Sequence, residues 1–406
     1  MVFLLQYFCG MMPTKRVQDK VSVKELLGLV PDKTLTRLAR QTGVDHYAKV
    51  LYGKSMFYLL LYGLLGSEKP SLRAMEDVFN SARFKLLFKL DAGQKTCYNS
   101  ISDRLSTMEL SFFEQAYRSV YSVFRERFSK KEAKGHNIVR VDSTMVAETA
   151  NKLKQGMCVG RKKDGKKQVK YTLCMEDLLP CGVQVFTGQR ELNEDLAIPA
   201  AILKTTHPRP DTVFVFDRGV QSRQAYQDIA QKEWPFVTRL KENTRYRIAE
   251  TQTANGEGLL VGNLTIETDE QVYLYDGDNK KTKMPFRLVR AKTGQGKKLL
   301  FLSNIKDAPV EEPTAVYKKR WDIEVFFRFV KQDLNFSHLM STNVNGIKIT
   351  LYMTLILSML VHIYKKRNNV GFKTAKRRMK MELEDLLTIM IVQLCGGNPN
   401  LFFKSP

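Results

Sequence analysis

The chain has 406 residues, 43% of them hydrophobic, and carries 65 Lys and Arg against 42 Asp and Glu, for a formal charge of +23. That length supports two or three domains, and the apolar content supplies packed cores, which excludes a disordered chain. The positive excess is spread along the sequence and favours a polyanionic partner, nucleic acid before a membrane surface.

Six cysteines, at 9, 97, 158, 174, 181 and 395, form no C-x-x-C pair and lie near too few of the five histidines for a zinc cage. They read as reduced thiols of a cytosolic protein. The opening "MVFLLQYFCGMMPTKR" has no basic segment ahead of its apolar run, so no signal peptide is expected, and Met11 or Met12 is a candidate start.

From about 20 to 130 the pattern is helical: "SVKELLGL", "TLTRLARQTG", "MFYLLLYGLLG", "SLRAMEDVF", "CYNSISDRLSTM" and "FFEQAYRSVYSVFRERF". Short helices joined by Gly, Pro and Ser suit a DNA-binding module or a structural helical cap, with Lys95 to Arg104 as a candidate recognition helix. The run at 56–66 is too short to cross a bilayer and is read as a buried helix.

From about 136 the period changes. "NIVRVD" predicts a strand ending in Asp142, "VKYTLCMED" and "GVQVFTG" form a meander with it across the turn "LLPCG", and "TVFVFD" ends in Asp217. A helix from Gln221 to Lys232 then leads to "WPFVTRLK", which gives a mixed sheet flanked by helices. Between Lys241 and Leu299, "GLLVGNLTIET", "QVYLYDGDN", "MPFRLVRAK" and "KKLLFLSN" read as a β-rich insertion with a hairpin signal at Asp276-Gly277. Basic runs at 160–167 and 373–380 are solvated surface or DNA contact.

The stretch "YKKRWDIEVFFRFVK" (317–331) is predicted as one helix. At about 100° per residue, Tyr317, Arg320, Glu324 and Lys331 share an arc of roughly 60°. Ile323, Phe326, Phe327, Val330 and Leu334 form an adjacent apolar stripe that would fix the helix and aim its polar face. The following run "ITLYMTLILSMLVHIY" (349–364) is borderline in length for a membrane span and carries Thr, Ser and His. It is read as a buried helix packed beside the Tyr317–Lys331 helix.

Two strand-end aspartates and Glu324 on an aimed helix are the oxygen ligands that hard divalent cations prefer. Two such ions about 3.5–4 Å apart support in-line displacement at phosphorus without a protein nucleophile. Arg320 and Lys331 are placed to bind flanking phosphates, and Tyr317 to stack on a base or bond a phosphate.

The spacing Y-(2)-R-(3)-E-(6)-K, met by Tyr317, Arg320, Glu324 and Lys331, resembles the signature of the DDE transposases of the insertion-sequence-4 family. "VDSTMV" around Asp142 and "FDRGVQS" around Asp217 are similar to that family's first and second aspartate contexts, and the likeness covers about 136 to 365. It implies an RNase H-like core interrupted by a β-rich insertion, with Asp142, Asp217 and Glu324 as catalytic metal ligands for two Mg²⁺ or Mn²⁺ ions. It implies cutting at transposon ends and joining of the 3′-hydroxyls to target DNA, in several members through a hairpin, with Tyr317, Arg320 and Lys331 contacting DNA. The segments expected are 1–130 helical and DNA-binding, 131–240 and 301–365 catalytic core, 241–300 insertion, and 366–406 a basic helical tail. Double-stranded DNA is the implied partner, with a homodimer assembled on it, in the cytoplasm at the nucleoid and without a membrane. Lys170 and Trp234 are looser DNA-contact candidates, read first as a surface lysine and a core tryptophan. Two other readings stand beside the transposase: a DNA-binding regulator that no longer cuts, and a structure-specific nuclease on the same core.

Overall fold

The computed structural model describes residues 20–67, 69–128, 136–147, 153, 155–159, 167–177, 179–205, 208–251 and 258–399. Two units divide the chain: a sheet unit of Ser129–Ala147 and Gln155–Arg328, and a helical unit of Met1–Phe128, Glu148–Lys154 and Phe329–Pro406.

The sheet unit is built on ten strands: β1 (Asn137–Ala147), β2 (Gln168–Glu176), β3 (Leu179–Phe186), β4 (Thr212–Phe216), β5 (Phe236–Leu240), β6 (Tyr246–Thr251), β7 (Leu260–Val261), β8 (Leu264–Leu274), β9 (Phe286–Thr293) and β10 (Lys298–Ser303). They form one mixed sheet in the order β3-β2-β1-β4-β5-β10-β9-β8-β6, with β7 on β8. The first half is the predicted RNase H-like core: β1 is antiparallel to β2 and parallel to β4, and β4 is parallel to β5. The β-rich insertion continues the same sheet through antiparallel pairs from β10 to β6.

Helices α8 (Glu194–Leu203) and α9 (Arg223–Gln231) supply Ile198, Ile202, Tyr226 and Ile229 to a core that includes Val139, Val141, Phe214 and Phe216. Strand alternation sends Ile138, Val213, Val215 and Val237 into a separate cluster with Val316. Val316 belongs to α10 (Glu312–Lys318), so helices cover both faces of the parallel strands, as such strands require.

The helical unit opens with α1 (Val23–Gly28), α2 (Asp32–Thr42), α3 (Gly53–Gly66), α4 (Leu72–Asn80), α5 (Ala82–Phe88), α6 (Tyr98–Thr107) and α7 (Leu110–Phe128). Ser22, Ser71 and Ser81 cap α1, α4 and α5 by accepting backbone N–H bonds. The unit is completed by the end of α11 (Trp321–Asp333), by α12 (Val344–Asn368) and by α13 (Phe372–Leu394). Alone among the described helices, α12 is long and apolar enough to cross a membrane, yet 83% of its most apolar window is buried in protein. It packs against α7, α13, α3 and α6. α13, part of the stretch from 366 that the sequence set apart as a basic tail, packs on α12, α1, α5 and α3.

Gly346, in the first turn of α12, is a close-approach position: a Cβ there would overlap the Ser341 side chain and lie 3.3 Å from Leu105 Cβ. Gly346→Val is expected to destabilise the protein by about 1–3 kcal/mol through overpacking, measured as a lowered thermal midpoint.

Candidate active site

Strand register brings the two aspartates together. Val141 pairs with Phe216, the last residue of β4, so Asp142 and Asp217 are the next residues on neighbouring parallel strands. Such strands run about 4.8 Å apart. β1 does not end at Asp142 as predicted; it continues to Ala147, paired there with β2 alone. Asp142 therefore sits where the sheet opens on one side. On the β5 side, the Thr238 hydroxyl donates to the Phe216 carbonyl at 3.0 Å and fixes the end of β4.

The stretch predicted as one helix is two. Tyr317 is in α10, Glu324 and Lys331 are in α11, and Arg320 lies in the tight turn between them. Lys319 N–H donates to Val316 O at 3.0 Å and Arg320 N–H to Tyr317 O at 2.9 Å, the shorter i to i−3 pattern. The buried Arg140 of β1 stabilises this break, donating from Nε to Lys319 O at 2.9 Å and from Nη2 to Asp322 Oδ2 at 2.8 Å. His136 pairs with Glu312 at 2.7 Å near the start of α10. Two cationic or protonatable side chains near and on β1 thus hold the α10–α11 pair against the strand that carries Asp142.

Across the turn, Arg320 draws the carboxylates together. Its Nη1 is 3.5 Å from Asp142 Oδ2, its Nε 3.9 Å from Asp217 Oδ1, and its Nη2 is ion-paired with Glu324 Oε1. Tyr317 donates its hydroxyl to Asp217 Oδ1 at 3.1 Å, and its ring lies 5.7 Å from the Arg320 guanidinium carbon. Five of the six predicted site residues therefore meet in the sheet unit. Lys331 lies on the part of α11 that belongs to the helical unit, where partial burial lowers its pKa.

The electrostatics follow from burial and crowding. The Asp142 carboxyl is pushed up from 3.8 to about 6, chiefly because burial penalises its charge. The Ser143 N–H and Arg320 oppose that rise, while Asp217 and Glu194 add to it. Burial and the Asp217 charge also push Tyr317 up to about 12, so it stays a hydrogen-bond donor. Among the described residues, no three carboxylate, imidazole or thiol groups are grouped closely enough to hold an ion as they stand. The cation at their centre is Arg320. Three converging carboxylates remain the donor chemistry of a hard divalent ion.

Several residues of this region were not singled out, or were misread, in the sequence. Lys170 is no surface lysine: only 1% of its side chain is exposed, and it pairs with Glu194 at 2.9 Å. Trp234 is partly buried against the core, as expected, with Lys232 Nζ 4.9 Å from its ring centre. Arg140 and Glu194 had no role assigned. The signal available was a cation inside an otherwise apolar strand, "IVRVD" and "QVKYTL".

A carboxyl with a raised pKa in the folded state stabilises the fold less as pH rises, because the unfolded chain gives up its proton more readily. Asp142→Asn removes that cost. At pH 8 the variant is expected to be more stable than wild type by up to about 2–3 kcal/mol. The gap should narrow as pH falls through about 6 and close near 3.8, measured by denaturant unfolding across pH.

Comparison with known proteins gives a consistent family. The family model described as "Transposase DDE domain" matches residues 133–360, more than half the chain. A protein of Sinorhizobium fredii named "Putative transposase y4zB" is 28% identical over 174 residues, 42% of this chain and 48% of its own length. One from Synechocystis named "Putative transposase for insertion sequence element IS4SA" is 25% identical over 305 residues, 71% of this chain and 82% of its own. A third, from Geobacillus stearothermophilus and named "Probable transposase for insertion sequence element IS5377", is 28% identical over 44% of this chain and 50% of its own length. The chain thus spans about half the length of two of these relatives. Among solved structures, a piggyBac transposase synaptic complex with hairpin DNA aligns over 94% of this chain and 84% of its own, at 12% identity and a TM-score of 0.48.

Proposed function

This chain belongs to the transposase DDE domain family, of the insertion-sequence-4 type, and on that premise we propose that it binds the two ends of an insertion sequence, cuts them and joins the 3′-hydroxyls to target DNA. The observation that carries this reading is the convergence of Asp142, Asp217 and Glu324 on one partly buried guanidinium at the open end of the parallel strands.

Asp142, Asp217 and Glu324 would hold two Mg²⁺ or Mn²⁺ ions, which when bound activate a water or 3′-hydroxyl and neutralise charge on the phosphate being cut. The chain's own residues do the rest. Arg320 lies beside all three carboxylates, and its planar fork is suited to pairing with a phosphate of the held strand. Tyr317 keeps its proton and orients Asp217 through its hydroxyl. Lys331, on the same helix as Glu324, is assigned a phosphate further along the strand. The charge of +23 favours duplex DNA and makes binding steeply salt-dependent. Two ends must be handled together, so a homodimer on DNA is the assembly proposed, with excision through a hairpin as a route this site permits.

Purified protein, linear DNA bearing the element's own ends and Mg²⁺ should give cuts at the element boundary that vanish with Glu324→Ala. Tight end-specific binding with uncut DNA would instead support a regulator that no longer cleaves. Arg320→Ala should weaken DNA-end binding at least about tenfold, the loss expected for a charged phosphate contact, while Mn²⁺ binding at pH 8 is undiminished, measured by gel shift and by Mn²⁺ titration.

A further inference from the structure

Behind Asp142 lies a second, smaller network that the catalytic reading does not use. Lys170 of β2 donates to the Leu192 carbonyl at 2.7 Å and to Glu194 Oε1 at 2.9 Å. The other oxygen of Glu194 accepts from the Ser143 hydroxyl at 2.8 Å, and that hydroxyl also lies 2.9 Å from Thr172 Oγ1. Ser143 is the residue whose N–H donates to Asp142 Oδ1 at 2.8 Å. Both oxygens of Glu194 are therefore engaged, one by a buried ammonium and one by the residue that orients Asp142.

The same turn of α8 also holds the second aspartate's loop. A Cβ on Gly219, two residues past Asp217, would sit 3.3 Å from Glu194 Cγ, so the loop runs directly against the glutamate's stem. Asp195, the next residue, accepts from the backbone N–H groups of Gln221 and Ser222, the latter at 2.7 Å. One helical turn thus touches both carboxylate-bearing strands just beyond the point where their pairing stops at Val141 and Phe216. Asp142 is still paired with Leu173 of β2, but no strand pairing joins the two aspartates to each other there.

We propose that Glu194, locked by Lys170, is a positioning residue of the cleavage site: it sets the separation and aim of Asp142 and Asp217 so that together they take up divalent metal. This rests on the metal-dependent reading above. Groups that orient metal ligands from behind typically govern affinity by about 10–100-fold. Glutamine at 194 keeps the shape, with its carbonyl accepting from Lys170 and its amide facing Ser143 Oγ; alanine removes both links.

The test is Mn²⁺ titration of the full chain followed by electron paramagnetic resonance, with circular dichroism to establish folding. Glu194→Ala should weaken Mn²⁺ binding by about 10-fold or more, and Glu194→Gln should restore most of it. Ser143→Ala, a smaller change that cuts only the hydroxyl link, should fall between wild type and Glu194→Ala, and decides the matter if Glu194→Ala fails to fold. Folded Glu194→Ala that binds Mn²⁺ as wild type does would overturn the proposal. A Glu194→Gln variant as weak as Glu194→Ala would also overturn it, because the charge and not the positioning would then matter. Failure of wild type itself to bind Mn²⁺ would sink the metal-dependent reading instead.

Discussion

The site depends on burying the Asp142 carboxyl beside Asp217 and Glu324, which strand register and a helix turn bring together around Arg320. A buried carboxylate is costly to ionise, which is chiefly why the Asp142 carboxyl sits near 6, with the charges of Asp217 and Glu194 adding to the rise. The chain offsets the cost with one guanidinium, and Arg320 touches all three acids. Its planar fork is also of the geometry that pairs with a phosphate.

Holding such a site open requires rigid support, and buried cations provide much of it. Arg140, on the strand of Asp142, grips Lys319 and Asp322 and so fixes the turn between α10 and α11. Lys170, one strand over, grips Glu194 and so fixes the start of α8. Each is 1% exposed, and each is paired, which keeps the desolvation cost of its charge from going uncompensated. Asp142 projects from β1 and Glu324 from α11, while Asp217 directly follows the end of β4.

Much of this was legible in the sequence. The strands around Asp142 and Asp217 announced themselves as short β-branched runs, and the apolar stripe of Ile323, Phe326, Phe327, Val330 and Leu334 is buried as its spacing required. The break at Lys319–Arg320 was not legible, because its cause is tertiary: helical periodicity runs through the turn, and the bond that stabilises it comes from a residue 179 positions away. Burial of Lys170 was hidden for the same reason, its partner being 24 residues on. The short α5 escaped because Ser81 both ends α4 and caps α5, leaving no loop between them to read. Lys331 shares the helix of Glu324, yet the units part at Arg328, a boundary that no composition change marks.

The proposed function stands on Asp142, Asp217 and Glu324 taking up divalent metal beside Arg320. Anomalous diffraction from crystals soaked in Mn²⁺ at pH 8 tests it most directly. The account predicts two peaks about 3.5–4 Å apart among these three carboxylates. Mn²⁺ absent from the site or bound elsewhere would contradict it.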